Sequence, residues 1–195
     1  MSRMRCTVFV GTSVDGFIAR RNHKFDFLPA DGGEPHGYEE FIASVDAIVI
    51  GRNTFEVVLA MGPWVYKTKR VVVLSSRPID LSRVEGGVVE QMSGSPREIV
   101  DRLAASGAQH LYVDGGDTVQ RFLREGLIDR MIITRVPVLI GDGIALFGPL
   151  PHDVRLEHVA TRTFAGGLVQ SEYEVNKTAP AVRGTQHSSA AASSR

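Results

Sequence analysis

The sequence has one cysteine, no net charge and no long apolar run, and each of these absences excludes a class of protein. Cys6 lies within an apolar run and cannot form an internal disulfide, which favours a buried, inert side chain in a reducing compartment. Basic and acidic side chains each number 22, so no basic field attracts nucleic acid or an anionic membrane. No apolar run approaches the about 20 residues that span a bilayer. We therefore expect a cytoplasmic protein that binds neither nucleic acid nor membrane.

Metal-site, nucleophile and signal-peptide patterns are also missing. The six histidines are scattered without the spacing of metal ligands, and no serine or cysteine lies in a nucleophile motif. Residues 1–5 lead into a strand-like run, without the apolar core and small-residue cleavage site of a signal peptide. We therefore expect no metal and no secretion signal.

Strand-like and helix-like segments alternate over residues 1–176, which predicts one folded domain. Ser95, Pro96 and Glu98 form a capping-box pattern for one helix, and Asp117 and Gln120 form a second such pattern. From residue 177 to 195 the chain has almost no large apolar side chain, so we expect a disordered tail. The predicted strands are 5–12, 47–50, 70–74, 110–113 and 130–136; helices are predicted at 38–44 and 53–60 and after each capping pattern.

The end of the domain changes pattern. Segments 156–164 and 168–175 flank Ala165-Gly166-Gly167, which is a hairpin signal. Helices between strands favour parallel pairing, whereas a hairpin adds an antiparallel edge. The sequence therefore predicts an α/β fold with a mixed, mostly parallel central sheet, flanked by helices and ending in a C-terminal antiparallel hairpin.

The first of three strand-to-helix junctions suits an anion. Gly51, Arg52 and Thr54 follow a buried strand and open a helix, so free N–H groups and the positive helix end meet a guanidinium and a hydroxyl. Taken alone, the same residues also fit an ordinary strand–turn–helix connection.

The second junction suits a phosphate monoester. Leu74 ends a buried strand, and Ser75, Ser76 and Arg77 follow with two hydroxyls and a guanidinium. A solvated polar loop is the alternative for this segment alone.

The third junction is a glycine pair. Gly115 and Gly116 follow a strand, let the backbone approach a ligand closely, and lead into Asp117 and Thr118. The G-x-G-x-x-G pattern of a Rossmann fold is not present after the first strand. All three junctions are expected at the carboxyl ends of parallel strands, where open α/β sheets bind ligands. The first and third suit a pyrophosphate and the second a ribose 2′-phosphate, which favours NADPH over NADH.

In this order the motifs resemble a known family. The chain resembles the dihydrofolate-reductase-like proteins related to the C-terminal reductase domain of bacterial riboflavin biosynthesis (RibD C-terminal domain), from about residue 5 to 175. The motifs that carry the resemblance are SVDGFIA from Ser13, DAIVIGRNTFE from Asp46, VVVLSSRP from Val71, LYVDGGDTVQRFL from Leu111, and GLIDRMIITRVPVLIGDGIALF from Gly126.

The resemblance implies NADPH as cofactor. It places the nicotinamide near Ala19 and Ile50, and the pyrophosphate over a cis peptide between Gly115 and Gly116. The cofactor-binding residues it implies are Ala19, Ile50, Gly51, Arg52, Thr54, Leu74, Ser75, Ser76, Arg77, Gly115, Gly116, Asp117 and Thr118.

The sequence does not decide which residue donates the proton. Asp15, in a turn after the first strand, and Glu39, on the first helix beside Glu40, are the acidic candidates for catalysis. Turn stabilisation by Asp15 and a solvated helix face at Glu39 are the structural alternatives. We expect an NADPH-dependent reductase that acts on a small heterocycle, pterin-like or ribitylaminopyrimidine-like. A nucleotide-binding protein of the same fold without turnover is the alternative.

Quaternary structure and pathway are further expectations. The segment Pro137–Leu150 is very apolar for a connection, and related proteins are often dimers, so we expect a homodimer. The zinc-ligand motifs of the deaminase that usually accompanies the riboflavin-pathway reductase are not in this sequence, which favours a different substrate.

Overall fold

An eight-stranded sheet organises the computed structural model, which describes residues 3–29 and 36–177. The strand order is β5-β4-β3-β6-β1-β7-β10-β9, and the first six run parallel while β10 and β9 are antiparallel. The predicted fold class is confirmed. The strands are β1 (Arg5–Ser13), β3 (Ala47–Gly51), β4 (Arg70–Leu74), β5 (Val88–Met92), β6 (His110–Asp114), β7 (Arg130–Val136), β9 (Arg155–Phe164) and β10 (Leu168–Asn176).

In the described part of the chain, four helices cover the two faces of this sheet. Alternate residues of β3 face opposite sides, so Ala47 and Val49 pack in one core cluster and Ile48 and Ile50 in the other. The helices α3 (Pro96–Ala105) and α4 (Gly116–Arg124) contribute to the first cluster, and α1 (Tyr38–Ser44) and α2 (Arg52–Ala60) to the second. No helix in the described ranges is long and apolar enough to cross a membrane.

The two predicted capping patterns have different outcomes. The Ser95 side chain accepts a hydrogen bond from the Glu98 N–H, and Glu98 Oε2 accepts one from the Ser95 N–H at 2.8 Å, so the first capping box is confirmed. The second is wrong, because α4 begins at Gly116 with Gly115 as its N-cap, and Asp117 already lies inside the first turn. The glycine pair starts the helix earlier than the side-chain pattern predicts.

The loops contain a small second sheet that the sequence does not predict. β2 (Phe17–Ala19) pairs antiparallel with β8 (Ile144–Ala145), so the apolar connection after β7 lies against the segment that follows β1. The C-terminal hairpin is confirmed: β9 and β10 are joined through a short 3-10 turn at Ala165–Gly167. The tail predicted for 177–195 lies, beyond Lys177, outside the described residues.

Candidate active site

A cavity of about 800 Å³ lies where the central parallel strands end. Gly51 at the end of β3, Leu74 at the end of β4 and Asp114 at the end of β6 all line it. The three junctions therefore open toward the same edge of the sheet, as parallel strands require.

The first and third junctions interlock at one wall of this cavity. A Cβ added to Gly115 would lie 2.4 Å from Thr54 Oγ1, and one added to Gly51 would lie 3.0 Å from Thr118 Oγ1. Because both glycines lack that atom, the N-termini of α2 and α4 converge. Both N-cap residues are glycine, so no side chain caps the first-turn N–H groups. These groups and the two helix dipoles form a fitting receptor for a pyrophosphate.

The glycine pair reaches this geometry without a cis bond. None of the described peptide bonds is cis, so the prediction of a cis peptide bond between Gly115 and Gly116 is wrong. Gly115 instead has φ 88° and ψ 135°, a positive-φ conformation that only glycine adopts without strain, and this turns the chain from β6 into α4.

The second junction is a rigid turn beside the cavity. Ser75 Oγ donates to Arg77 O at 2.6 Å and accepts from the Arg77 N–H at 3.2 Å. Gln91 Nε2, which sequence reasoning missed, donates to the carbonyls of both residues. Ser76 and Arg77 are exposed, and neither they nor Ser75 line the cavity. Arg52 connects this turn to the cavity wall, because its Nη1 donates to Pro78 O at 3.4 Å.

The remaining predicted cofactor residues divide between wall and core. Ala19 and Asp117 line the cavity, whereas Ile50 is fully buried in the core beneath it. Arg121, one helical turn after Asp117, also lines the cavity and was missed from the sequence. The spacing of four residues from Asp117 could have indicated it, since such residues share a helix face.

Neither predicted acid lines the cavity. Asp15 is exposed, and its carboxylate accepts hydrogen bonds from the Gly141 N–H at 2.8 Å and the Ile140 N–H at 3.2 Å. A hydrogen bond from Ser13 and these amides lower the pKa of Asp15, so it stays charged and fixes the loop before β8. Glu39 is exposed in the first turn of α1.

Asp114 is the partly buried acid of the cavity wall, whereas Asp117, which also lines the cavity, is exposed. Asp114 is the last residue of β6, it is half-buried, and its Oδ1 accepts a hydrogen bond from the Gly115 N–H at 2.7 Å. Burial raises its pKa to about 6, which makes the carboxyl a reservoir for a proton near neutral pH. An acidic residue ending an otherwise apolar strand directly before Gly-Gly was the available sequence signal.

Aromatic rings of the cavity wall pack against one another near Asp114. Phe9 lies 5.5 Å from Tyr38 between ring centroids, and Tyr38 lies 6.5 Å from Tyr112. Burial and the Asp114 carboxylate raise the pKa of Tyr38 to about 12, and the pKa values of Tyr66 and Tyr112 are also raised by burial. The phenols therefore stay neutral. We call Phe9, Phe25, Leu28, Tyr38, Tyr66 and Tyr112 the aromatic chamber.

The cavity wall has two chemically different parts. The starts of α2 and α4, the hydroxyls of Thr54 and Thr118 and the charged side chains of Arg52 and Asp117 form one part of the wall, and the aromatic chamber forms another. Asp114 ends β6 directly before Gly115 and adjoins both parts. Within the described ranges no three His, Cys, Asp or Glu side chains cluster as metal ligands do. The geometry suits an anionic cofactor beside an apolar substrate that receives a proton.

Comparison with known proteins identifies the family. The model of the RibD C-terminal domain matches residues 5–170. The chain belongs to the RibD C-terminal domain family. This match confirms the resemblance that the motifs indicated, and it supports the assignment of the chain to a family of oxidoreductases.

Three similar proteins illustrate the relationship. The uncharacterized protein YwjB of Bacillus subtilis is 31% identical over 172 residues, which is 87% of this chain and 97% of YwjB. The crystal structure of a putative riboflavin biosynthesis protein from Shewanella sp. PV-4 is 36% identical with a TM-score of 0.82, covering 89% of this chain and all of that one. Dihydrofolate reductase from Enterococcus faecalis, complexed with NADP(H), is 18% identical with a TM-score of 0.61, covering 88% of this chain and 96% of that one, which shows the shared fold.

Proposed function

We propose that this protein is an NADPH-dependent reductase of a small heterocyclic substrate. The convergence of two glycine-capped helices on a cavity that also contains a protonatable Asp114 supports this most directly. The similarity to a reductase structure that contains NADP(H) supports the cofactor. The oxidoreductase family supports the reaction class.

Each end of the cofactor has its own residues in this proposal. Gly51, Arg52, Thr54, Gly115 and Gly116 would hold the pyrophosphate, together with the first turn of α4 at Asp117 and Thr118. Ala19 would lie against the nicotinamide, above the core residue Ile50. Leu74, Ser75, Ser76 and Arg77 would surround the adenosine 2′-phosphate, with the second junction held in shape by Gln91.

The chain's own contribution to reduction is a dry chamber and a proton. When bound, NADPH supplies a hydride. Asp114, in its neutral form, donates its proton to the nitrogen or oxygen of the substrate's C=N or C=O bond, whose carbon accepts the hydride. The double bond becomes a single bond, and the Asp114 carboxylate regains a proton from water. Asp15 and Glu39 lie away from the cavity and are less suited to this step.

Cofactor binding tests the proposal directly. Pure protein is titrated with NADPH and with NADH, and the fluorescence of the reduced nicotinamide is followed. Saturable binding with a preference for NADPH is expected, and binding of neither cofactor would rule out the reductase.

Arg77→Ala tests the 2′-phosphate contact. A charge-assisted contact contributes roughly 1.5–3 kcal/mol, which corresponds to about ten- to a hundredfold in affinity. NADPH binding should therefore weaken by this factor while NADH binding changes little. Arg83→Ala removes another exposed arginine and is the matched control. Equal losses for both cofactors would show that Arg77 does not contact the 2′-phosphate.

A nucleotide-binding protein without turnover is the second candidate. The distance of both sequence-predicted acids from the cavity is the observation that favours it. Saturable NADPH binding without oxidation across a panel of pterins, ribitylaminopyrimidines and quinones would support this alternative over the reductase.

We also propose a homodimer in the cytoplasm. The loop residues Leu139 and Phe147 are 70% and 45% exposed, and both lie in the apolar segment between β7 and β9. A second copy of the chain would cover them.

A further inference from the structure

One side chain of the neighbouring strand holds the second junction in shape. Gln91 lies on β5, beside Val73 of β4, and is exposed at the edge of the sheet. Its Nε2 donates to Ser75 O at 2.9 Å and to Arg77 O at 3.0 Å, while its Oε1 accepts from the Ile79 N–H at 3.1 Å. This orientation of the amide matches all three partners, because the two carbonyls need a donor and the N–H needs an acceptor.

These hydrogen bonds fix the direction of the peptide groups in the turn. In a trans peptide the C=O and the N–H point in opposite directions, and none of the described peptide bonds is cis. The Ile79 N–H points to Gln91. The carbonyl of the same peptide, that of Pro78, points the other way and accepts from Arg52 Nη1 at 3.4 Å. Gln91 therefore determines which backbone groups face it and which face away from it.

The Ser76 N–H is the donor that this arrangement leaves for a ligand. Gln91 holds the carbonyl of the peptide between Ser75 and Ser76, so the N–H of that peptide is directed away from Gln91. Within the described ranges, no protein acceptor takes this N–H, whereas the Arg77 N–H is bonded to Ser75 Oγ at 3.2 Å. An anion that approaches from the side opposite Gln91 meets a free N–H. The Ser75 and Arg77 carbonyl oxygens, which would repel it, face the other way.

We propose that Gln91 is a positioning residue for cofactor selection: it holds the Ser75 and Arg77 carbonyls and so presents the Ser76 N–H to the 2′-phosphate of NADPH. The proposal rests on the proposed function, because it takes the second junction as the receptor of the adenosine 2′-phosphate. A turn that is already rigid loses less conformational freedom when the phosphate binds, and a preformed donor does not need to reorient. Gln91 acts through the backbone of the turn and not by touching the cofactor.

Gln91→Met tests this role with two cofactors that differ only in the 2′-phosphate. Methionine has a similar length but no amide, and the exposed position on an edge strand tolerates it. NADPH and NADH are titrated separately into the full chain, and the fluorescence of the reduced nicotinamide gives both dissociation constants. The Kd of NADPH should rise about three- to tenfold, the effect of losing a hydrogen bond of ordinary strength, while that of NADH changes by less than about twofold.

Gln91→Glu is a second variant that separates the donor from the acceptor. The carboxylate keeps the length of the side chain and an acceptor for the Ile79 N–H, but it cannot donate to the Ser75 and Arg77 carbonyls. The preference for NADPH over NADH should fall at least as far as in Gln91→Met. Full retention of the preference by Gln91→Glu would overturn the role of the two carbonyl contacts.

Asp46→Ala is the matched control for the loss of side-chain hydrogen bonds to the backbone. Asp46 Oδ2 accepts from the Gln109 N–H at 2.7 Å and from the His110 N–H at 2.8 Å, at the opposite edge of the sheet, where β3 begins. This variant should lower the free energy of unfolding in urea and leave the ratio of the two cofactor affinities unchanged. A change in the ratio as large as that in Gln91→Met would overturn the role of Gln91, since loss of stability would then explain both.

The outcomes separate the role of Gln91 from the reductase itself. If Arg77→Ala loses the preference for NADPH and Gln91→Met retains it, the positioning role is overturned and the proposed function stands. Equal weakening of NADPH and NADH in Gln91→Met would also overturn the role, because the effect would not depend on the 2′-phosphate. Binding of neither cofactor to the unaltered protein would overturn the proposed function and the role of Gln91 with it.

Discussion

Asp114 is a residue whose charge the folded state opposes. Burial raises its pKa to about 6, whereas an unfolded aspartate has a pKa of about 3.9. Folding thus favours the protonated form of Asp114. The charged carboxylate destabilises the folded state, and this cost is absent below about pH 4 and complete above about pH 6. Asp114→Asn keeps the oxygen that accepts from the Gly115 N–H and removes the charge. It should raise the free energy of unfolding at pH 8 by up to about 3 kcal/mol.

Urea denaturation of the unaltered protein and of this variant at pH 8 and at pH 4 checks the prediction. The gain should vanish at pH 4, where Asp114 is neutral in both states. An equal difference at both pH values would mean that the carboxylate carries no electrostatic cost.

The same carboxyl sets a pH dependence for reduction. If neutral Asp114 supplies the proton, kcat/KM should fall by about tenfold per pH unit above about pH 6. Asp114→Asn should lower the rate and remove this descending limb. Asp15→Asn is the control, because Asp15 is exposed and outside the cavity, and its variant should retain the limb. A pH profile of kcat/KM that Asp114→Asn leaves unchanged would show that another group donates the proton.

At the scale of elements, the junction of α2 and α4 depends on Gly115. Alanine there would have φ 88° and a Cβ 2.4 Å from Thr54 Oγ1, so it combines backbone strain with a clash at the start of both helices. A positive φ at alanine costs roughly 1–2 kcal/mol, and we expect Gly115→Ala to lower the free energy of unfolding by more than this because of the added clash. The variant should also bind NADPH more weakly.

Gly107→Ala is the matched control for this element. Gly107 also has a positive φ of 94°, but nothing lies within 4 Å of its added Cβ. Gly107→Ala should lower the free energy of unfolding only by the cost of the positive φ, and it should bind NADPH as the unaltered protein does. Urea denaturation and cofactor fluorescence measure both effects, and equal losses in the two variants would contradict the interlocked junction.

Elements with a local cause were predictable from sequence. The capping box at Ser95 involves neighbours three residues apart, and the strand β3 is a continuous apolar run. The pair of β2 and β8 was not predictable, because two strands of three and two residues are held by contacts from far along the chain, such as Asp15 with the Gly141 N–H. The start of α4 was missed because backbone freedom at Gly115 overrode a side-chain pattern.

In the candidate site, too, features with local causes were predictable and features that depend on distant parts of the chain were not. The three junctions were predictable, since each is a strand followed by glycine, hydroxyl or arginine. Asp114 was not, because its raised pKa and its role depend on aromatic rings that other elements bring around it. The hydrogen bond from the Ser75 hydroxyl to Arg77 O within the second junction was not predicted from the sequence either.

At the scale of the whole molecule, the proposed homodimer has a direct measurement. Light scattering after size exclusion should give about 42 kDa, twice the 21.2 kDa of one chain. Leu139→Ser combined with Phe147→Ser should shift the mass toward one chain, because polar side chains weaken an apolar contact. Val88→Ser, at an exposed residue on the edge strand β5, is the control. A single-chain mass for the unaltered protein would contradict the dimer.

The place of β1 in the sheet has a consequence for synthesis. β1 pairs with β6 and β7, whose residues lie more than a hundred positions further along the chain. The first strand to leave the ribosome therefore waits for its partners until residues 110–136 have emerged. Phe9, Thr54 and Asp114 meet only after that point, so we expect nascent chains released before β7 to lack the cofactor site.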